Sequence, residues 1–377
     1  MVSMEDASAS DLFVFGFVMA LRLIVPLGIP KYPLPAILAA FLIDGVDKTI
    51  YDQFTDLNLD FYQGYDKALD IYYLAIAYIA TMRNWTNLYA FEVSRFLYYY
   101  RLVGAVAFEL TQVRALLLVF PNTFEYFFDF YEIVRIRWDP RRMSKRLLLG
   151  AAAFIWIVIK LPQEYIIHVA QVDTTDWIKR NIFGVDPSAS WAEAITNRPG
   201  VSIFLVLLVV GLIVGAWWLI TRRLPPADWK PRFAADPIPE FEREMPPQRF
   251  RLLDAALIEK VALISLVSII FAQVLPSVEA GNLAIIVGVA IIVAVNAAVS
   301  HWLAQRGRDW TSIIQEFVVM AAVNAVLIVA IALILPSVDG SINIGTTLFF
   351  ALLLTLIITL FDRYHPVYLH RFPPRGR

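Results

Sequence analysis

Val201–Ile220 is a run of twenty uncharged residues, nearly all aliphatic, with Trp217 and Trp218 near its end. About 20 such residues, wound as a helix, cross the ~30 Å hydrocarbon core of a bilayer. Lipid offers the backbone no water, so a helix, which bonds its own backbone, is the expected form. Runs of the same character recur along the chain. The sequence predicts helices over Leu12–Ile29, from Pro35 into the low fifties, Asp66–Met82, Asn87–Leu110, Val113–Val134, Leu147–Ala170, Val201–Ile220, Ala255–Leu275, Leu283–Trp302, Thr311–Leu335 and Ile344–Phe361. Pro121 is expected to kink the fifth and Pro162 to interrupt the sixth, because proline removes a ladder hydrogen bond. The chain is 59% hydrophobic and only 17% charged, with mean hydropathy +0.63. A soluble domain carries about a quarter charged residues. The fold class read here is an all-α integral membrane protein, a polytopic helical bundle of about eleven transmembrane helices.

Basic residues crowd Arg135–Arg146, Arg222–Arg251, Arg306–Arg308 and Arg363–Arg377, whereas Ser277–Asn282 and Ser337–Asn343 have none. Cytoplasmic loops collect Lys and Arg. The expected topology therefore has the N-terminus outside and the C-terminus inside, in the plasma (inner) membrane. The acidic N-terminus lacks the positive region of a cleaved signal, so the first apolar run is expected to remain as a helix. Residues 1–221 read as a charged transmembrane module and 222–254 as a Pro-rich basic cytoplasmic linker. Residues 255–377 read as an apolar module in which LPSVE at 275 and LPSVD at 335 close two duplicated helical hairpins.

Charge inside such a chain is costly, about 2.5–3.5 kcal/mol per group on insertion scales, and marks sites. Four carboxylates stand in the pattern D-x2-D-x18-D-x3-D: Asp44, Asp47, Asp66 and Asp70. They bracket an acidic loop, so the end of one helix and the start of the next bring them to one depth. Hard oxygen ligands of this kind suit a divalent cation, Mg or Mn. The competing reading is ion pairing with Lys48, Lys67, Lys160 or Arg114. Lys160, Glu164 and His168 recur at four-residue spacing, and Glu109 and Arg114 fall at similar depth. In this scheme Asp44, Asp47, Asp66 and Asp70 hold the metal. Asp70, Glu164 and His168 serve catalysis, and Arg114 and Lys160 bind substrate. An inner cluster joins Glu92 to Arg95 and sets Glu125, Asp129 and Glu132 on one stripe, with Arg101 or Arg22 as counter-ions. It reads as helix-locking ion pairs more than as a proton path. Tyr72, Tyr73, Tyr78 and Tyr98–Tyr100 read as packing and interface belt. Glu259 and Lys260 are exceptions in a charge-poor half expected to act as scaffold or as a homo-oligomer face.

The aspartate spacing resembles that of CDP-alcohol phosphotransferases, D-x2-D-G-x2-A-R followed by G-x3-D-x3-D. Lys48, Tyr51, Asp52 and Tyr62 replace the Gly, Ala, Arg and second Gly of that motif, so the family is not assigned. With no cysteine, thiolate catalysis and disulfides are excluded. A net charge of -1 supplies no field for nucleic acid. The expected function is a membrane-embedded enzyme acting on a lipid-linked phosphate or sugar with a divalent cation. The alternatives are a secondary transporter coupled to H⁺ or a cation, and a structural or partner-binding membrane protein. Expected partners are membrane lipid and a small-molecule or lipid-linked substrate.

Overall fold

The computed structural model describes residues 7–57, 59, 62–237, 255–274 and 344–373, with short stretches between 291 and 326. The described part is all-helical. Its helices are α1 (Ala9–Ile24), α2 (Pro33–Phe54), α3 (Tyr62–Asn84), α4 (Leu88–Thr111), α5 (Ala115–Val119) and α6 (Thr123–Arg137). Then come α7 (Lys145–Val169), α8 (Thr174–Ile178), α9 (Trp191–Asn197), α10 (Pro199–Arg223), α11 (Ala255–Val274) and α12 (Ile344–Arg371). The two LPSV turns, residues 238–254 of the linker, and most of the helices expected over 283–302 and 311–335 lie outside the described residues.

Four described helical segments are long and apolar enough to cross a membrane: Ala9–Gly28, Lys145–Val169, Leu257–Val274 and Leu348–Arg371. The bent pair Trp191–Asn197 and Pro199–Gly215, meeting at 101°, makes a fifth if it is one span. α10 exposes its aliphatic side chains, among them Ile203, Phe204, Val206 and Leu207.

α3 is the hub. Every residue from Ile71 to Met82 is buried, and the helix packs on α12, α11, α4 and α2. A helix apolar all round belongs in a core, and Ala75, Ala77 and Ala80 let neighbouring backbones come close. Its first turns differ, because they carry Asp66 and Asp70. The tyrosines that follow tie helices together: Tyr72 donates to the Leu23 carbonyl at 3.0 Å, and Tyr78 stacks on Tyr98 with ring centroids 4.4 Å apart.

Two breaks shape the region beside this hub. Pro121 separates α5 from α6, and α4 supplies partners for the interrupted backbone. The Tyr100 hydroxyl donates to the Val119 carbonyl at 3.0 Å, and Arg101 donates to that of Phe120 at 3.1 Å. Such partners are required where a helix is broken at membrane depth. In α7, π-helical turns at Ile155–Lys160 and Tyr165–Val169 flank Pro162, which loosens the ladder where the ring cannot donate. On the side expected to face the cytoplasm, segment 225–237 lies across the end of α6. Trp229 Nε1 donates to the Arg135 and Ile136 carbonyls, and Arg142 pairs with Asp228 at 2.6 Å.

Candidate functional site

Asp44 and Asp47 are three apart on α2, and Asp66 and Asp70 are four apart on α3, so each pair shares a helix face. The structure brings all four onto one guanidinium, that of Arg22 from α1. Arg22 Nη1 donates to Asp47, to Asp66 and to the Tyr62 hydroxyl at 3.0 Å. Nη2 donates to Asp44 and, at 2.7 Å, to Asp70. The Arg22 side chain is only 3% exposed, and that of Asp47 only 4%. Asp47 also accepts from the Tyr62 hydroxyl at 2.5 Å and from the Lys48 backbone N–H at 2.5 Å, so both its oxygens are used. Asp44 is 33% exposed, and Asp66 and Asp70 are 40% exposed. The cluster is thus closed behind, at Arg22 and Asp47, and open on its Asp44–Asp66–Asp70 side. One oxygen from each of these three lies within 4.8 Å of the others.

Arg22 is the counter-ion that sequence reasoning misassigned. The sequence places it with the inner cluster and points to Lys48, Lys67, Lys160 or Arg114 here. Lys67 pairs with Glu109 at 3.2 Å, and Lys48 is exposed. The available signal was that Arg22 is the sole basic residue before Lys31. A lone arginine in the last turn of an apolar helix needs an anion, and its side chain leans back toward its helix N-terminus, here toward the acidic loop. If all four carboxylates are ionised, one positive charge faces four negative ones, and the excess favours uptake of a further cation or of protons.

A second polar cluster lies at the Pro121 break. Glu125, in the first turn of α6, accepts from the Tyr73 hydroxyl and, at 2.8 Å, from Asn122 Nδ2. Lys160 of α7 stands 3.6 Å from Glu125, and its ammonium lies over the Tyr126 ring. Glu164 accepts from the Asn122 backbone N–H at 3.2 Å and pairs with His168 at 3.0 Å. Lys160 and Glu164 are buried, while the His168 side chain is 25% exposed. Glu125, which the sequence placed on the inner stripe, is therefore the partner of Lys160. Arg114 is exposed and stands beside Gln171. Tyr73, one turn beyond Asp70 on α3, ties that helix to the second cluster through Glu125. Among the described residues no hydrogen bond or ion pair links the aspartates to the Lys160–Glu164–His168 group; the two are related through α3, which carries Asp70 and Tyr73 one turn apart.

A third cluster sets Arg95 against Glu259, where the sequence expects Glu92. Glu259 of α11 accepts from Tyr78 and faces Arg95 at 3.8 Å and His365 at 3.6 Å. Lys260 pairs with Asp362 at 2.7 Å. These groups fasten α11 and α12 to α3 and α4. At the opposite end of α6, Glu132 is fully buried between Trp85 Nε1 at 2.9 Å and Arg135 at 2.5 Å.

The oxygens of Asp44, Asp66 and Asp70 fit a hard cation in type and spacing, although Arg22 already holds one oxygen of each. No family model, curated protein or solved structure matches this chain.

Proposed function

We propose that the protein is a multi-pass plasma (inner) membrane transporter that moves protons, coupled to a small-molecule substrate. In this reading about eleven helices cross the bilayer, with the N-terminus outside and the C-terminus inside. Residues 1–221 carry the site, 222–254 form a cytoplasmic linker, and 255–377 form an apolar module suited to contact with lipid or a second copy. One observation carries the reading. Two groups of ionisable side chains stand on neighbouring elements: the partly open Asp44–Asp66–Asp70 face, and, reached from α3 one turn beyond Asp70 by Tyr73, the Glu125–Lys160 and Glu164–His168 pairs. Intramembrane charges that line up beside a broken helix suit ion-coupled transport. A purely structural bundle does not need partly open carboxylates.

The test is proton movement in proteoliposomes loaded with a pH-sensitive dye and given an imposed pH gradient. Wild-type protein is expected to speed internal acidification above protein-free vesicles, and Glu125→Gln to remove the gain. Equal rates with and without protein would overturn the reading.

A second reading is favoured by the 4.8 Å grouping of the three accessible carboxylates. It is a membrane-embedded enzyme acting on a lipid-linked phosphate or sugar. Asp44, Asp66 and Asp70 would hold Mg or Mn, which would supply charge neutralisation at a phosphate; Asp47 has its oxygens engaged. Arg114, being exposed, is better placed to meet a phosphate than Lys160, which is 4% exposed and occupied by Glu125. Glu164 and His168 would move protons. Saturable Mn binding that Asp66→Asn abolishes would favour this reading over transport.

A further inference from the structure

Glu125, Asp129 and Glu132 stand at i, i+4 and i+7 on α6, so they form one stripe. The two ends of the stripe are fixed. Glu125 has both oxygens engaged, by Tyr73 and Asn122, with Lys160 beside them. Glu132 likewise has one oxygen on Trp85 and the other on Arg135. Asp129, between them, is different: its Oδ1 is shut off from solvent and has no hydrogen-bond partner among the described residues. The charged groups acting on it are Glu125 and Glu132 on its own helix and Lys160 from α7. A buried polar atom without a partner costs free energy, and only Oδ1 is so placed, the residue as a whole being half-buried. Evolution had apolar residues available for this position if packing were the only demand.

We propose that Asp129 is the proton carrier midway along α6, passing protons between the Tyr73–Glu125 end and the Glu132–Arg135 end. This rests on the transport reading and names the residue on which its proton route depends. From the helix rise, the steps along the axis are about 6 Å from Glu125 to Asp129 and about 4.5 Å from Asp129 to Glu132. Each step is spanned by a side-chain rotation or one bridging water. In each transfer one carboxylic acid becomes a carboxylate as the next carboxylate becomes the acid, so no charge is created along the stripe. Tyr73 and Asn122 hold the first acceptor in place, and Lys160 offsets its charge when it is ionised. Arg135 stays charged and anchors this end through the Ala234 carbonyl, at 3.3 Å; the proton leaves Glu132 to water on the side that receives segment 225–237, once Glu132 swings off Arg135.

The experiment is the dye-loaded proteoliposome assay under an imposed pH gradient, run on the full chain. Asp129→Asn keeps the shape and is expected to slow protein-dependent proton flux about a hundredfold or more, the usual contribution of a positioned proton-transfer group. Asp129→Glu is expected to restore most of it, which a merely structural role would not require. If Asp129→Asn carries protons at the wild-type rate while Glu125→Gln is silent, the route bypasses Asp129; the inference is wrong and the transport reading stands. If Asp129→Glu is as silent as the Asn variant, the inference is also wrong. If wild-type protein gives no flux above protein-free vesicles, both fall together. Should Asp129→Asn fail to fold, wild-type protein treated with an apolar carbodiimide, which attacks protonated carboxyls in apolar surroundings, decides the matter. Mass-spectrometric labelling at Asp129 with a matching loss of flux supports the role. Labelling without loss, or no labelling at Asp129, overturns it.

Discussion

Arg22 shows how much can hang on one side chain. A guanidinium carries its charge on a rigid fork, and here its two terminal nitrogens together meet four carboxylates and a phenol from two other helices. Removing one partner of a buried ion pair costs about 3–5 kcal/mol, because the remaining charge is left uncompensated. Arg22→Leu is therefore expected to lower the detergent melting temperature sharply, and Arg22→Lys to fall between, since an ammonium lacks the fork. A leucine variant that melts with wild type would mean the cluster is held by something else. Within the quartet the costs should split by burial. Asp47→Asn weakens a buried, charge-assisted set worth about 1.5–3 kcal/mol per hydrogen bond, whereas Asp66→Asn, at a 40% exposed side chain, should cost under about 1 kcal/mol. Equal losses in thermal unfolding would contradict that division. The aspartate spacing was legible in the sequence, since two short intervals on facing helix ends must converge. Arg22 was not, because helix rise gives the depth of its Cα and not where a long side chain delivers its charge.

At the scale of elements, the α5–α6 break positions Asn122, Glu125 and, through the Asn122 N–H, Glu164. Its seat on α4 is Gly104, where an added Cβ would run into the Phe120 Cβ, an atom too close to the backbone to swing away. Gly104→Ala should therefore displace the break, cost about 1–3 kcal/mol by overpacking, and reduce proton flux although it removes no polar group. A variant with wild-type stability and flux would show that the close approach of α4 and α5 is unimportant. Pro121 made the break readable in advance. The form of α7 was harder to read, because four-residue spacing of Lys160, Glu164 and His168 implies one stripe only if the helix is regular. Its π turns leave Glu164 with His168 and Lys160 with Glu125. α12 was expected to end at Phe361, where hydropathy fades, yet it continues to Arg371 past Pro366. Asp362, His365 and Arg371 find partners on α11 and α3 or just beyond it, so pairing carries the helix where apolarity does not.

For the whole molecule, membrane character was legible from apolar run length alone. α2, α3 and α4 are less uniformly apolar than the four spans, because charged and tyrosine side chains on them are used between helices. The topology rests on where Lys and Arg fall, and a chain without cysteine allows a clean check. Cysteine at exposed Ser144, before α7, should react with an impermeant thiol reagent only from the cytoplasmic side. Cysteine at exposed Ser188, after it, should react only from outside. Labelling of both from one side would remove α7 as a span and with it the proposed direction of the route. The central claim is that the open face of the aspartate cluster exists for function and not for stability. It is tested most directly by measuring Asp70→Asn for melting temperature in detergent and for proton flux in vesicles on the same preparation. Asp70→Asn is expected to give a folded protein, melting at or above wild type because like-charge repulsion is relieved, with its flux lost. A folded protein with wild-type flux, or one that unfolds as badly as Arg22→Leu, would contradict it.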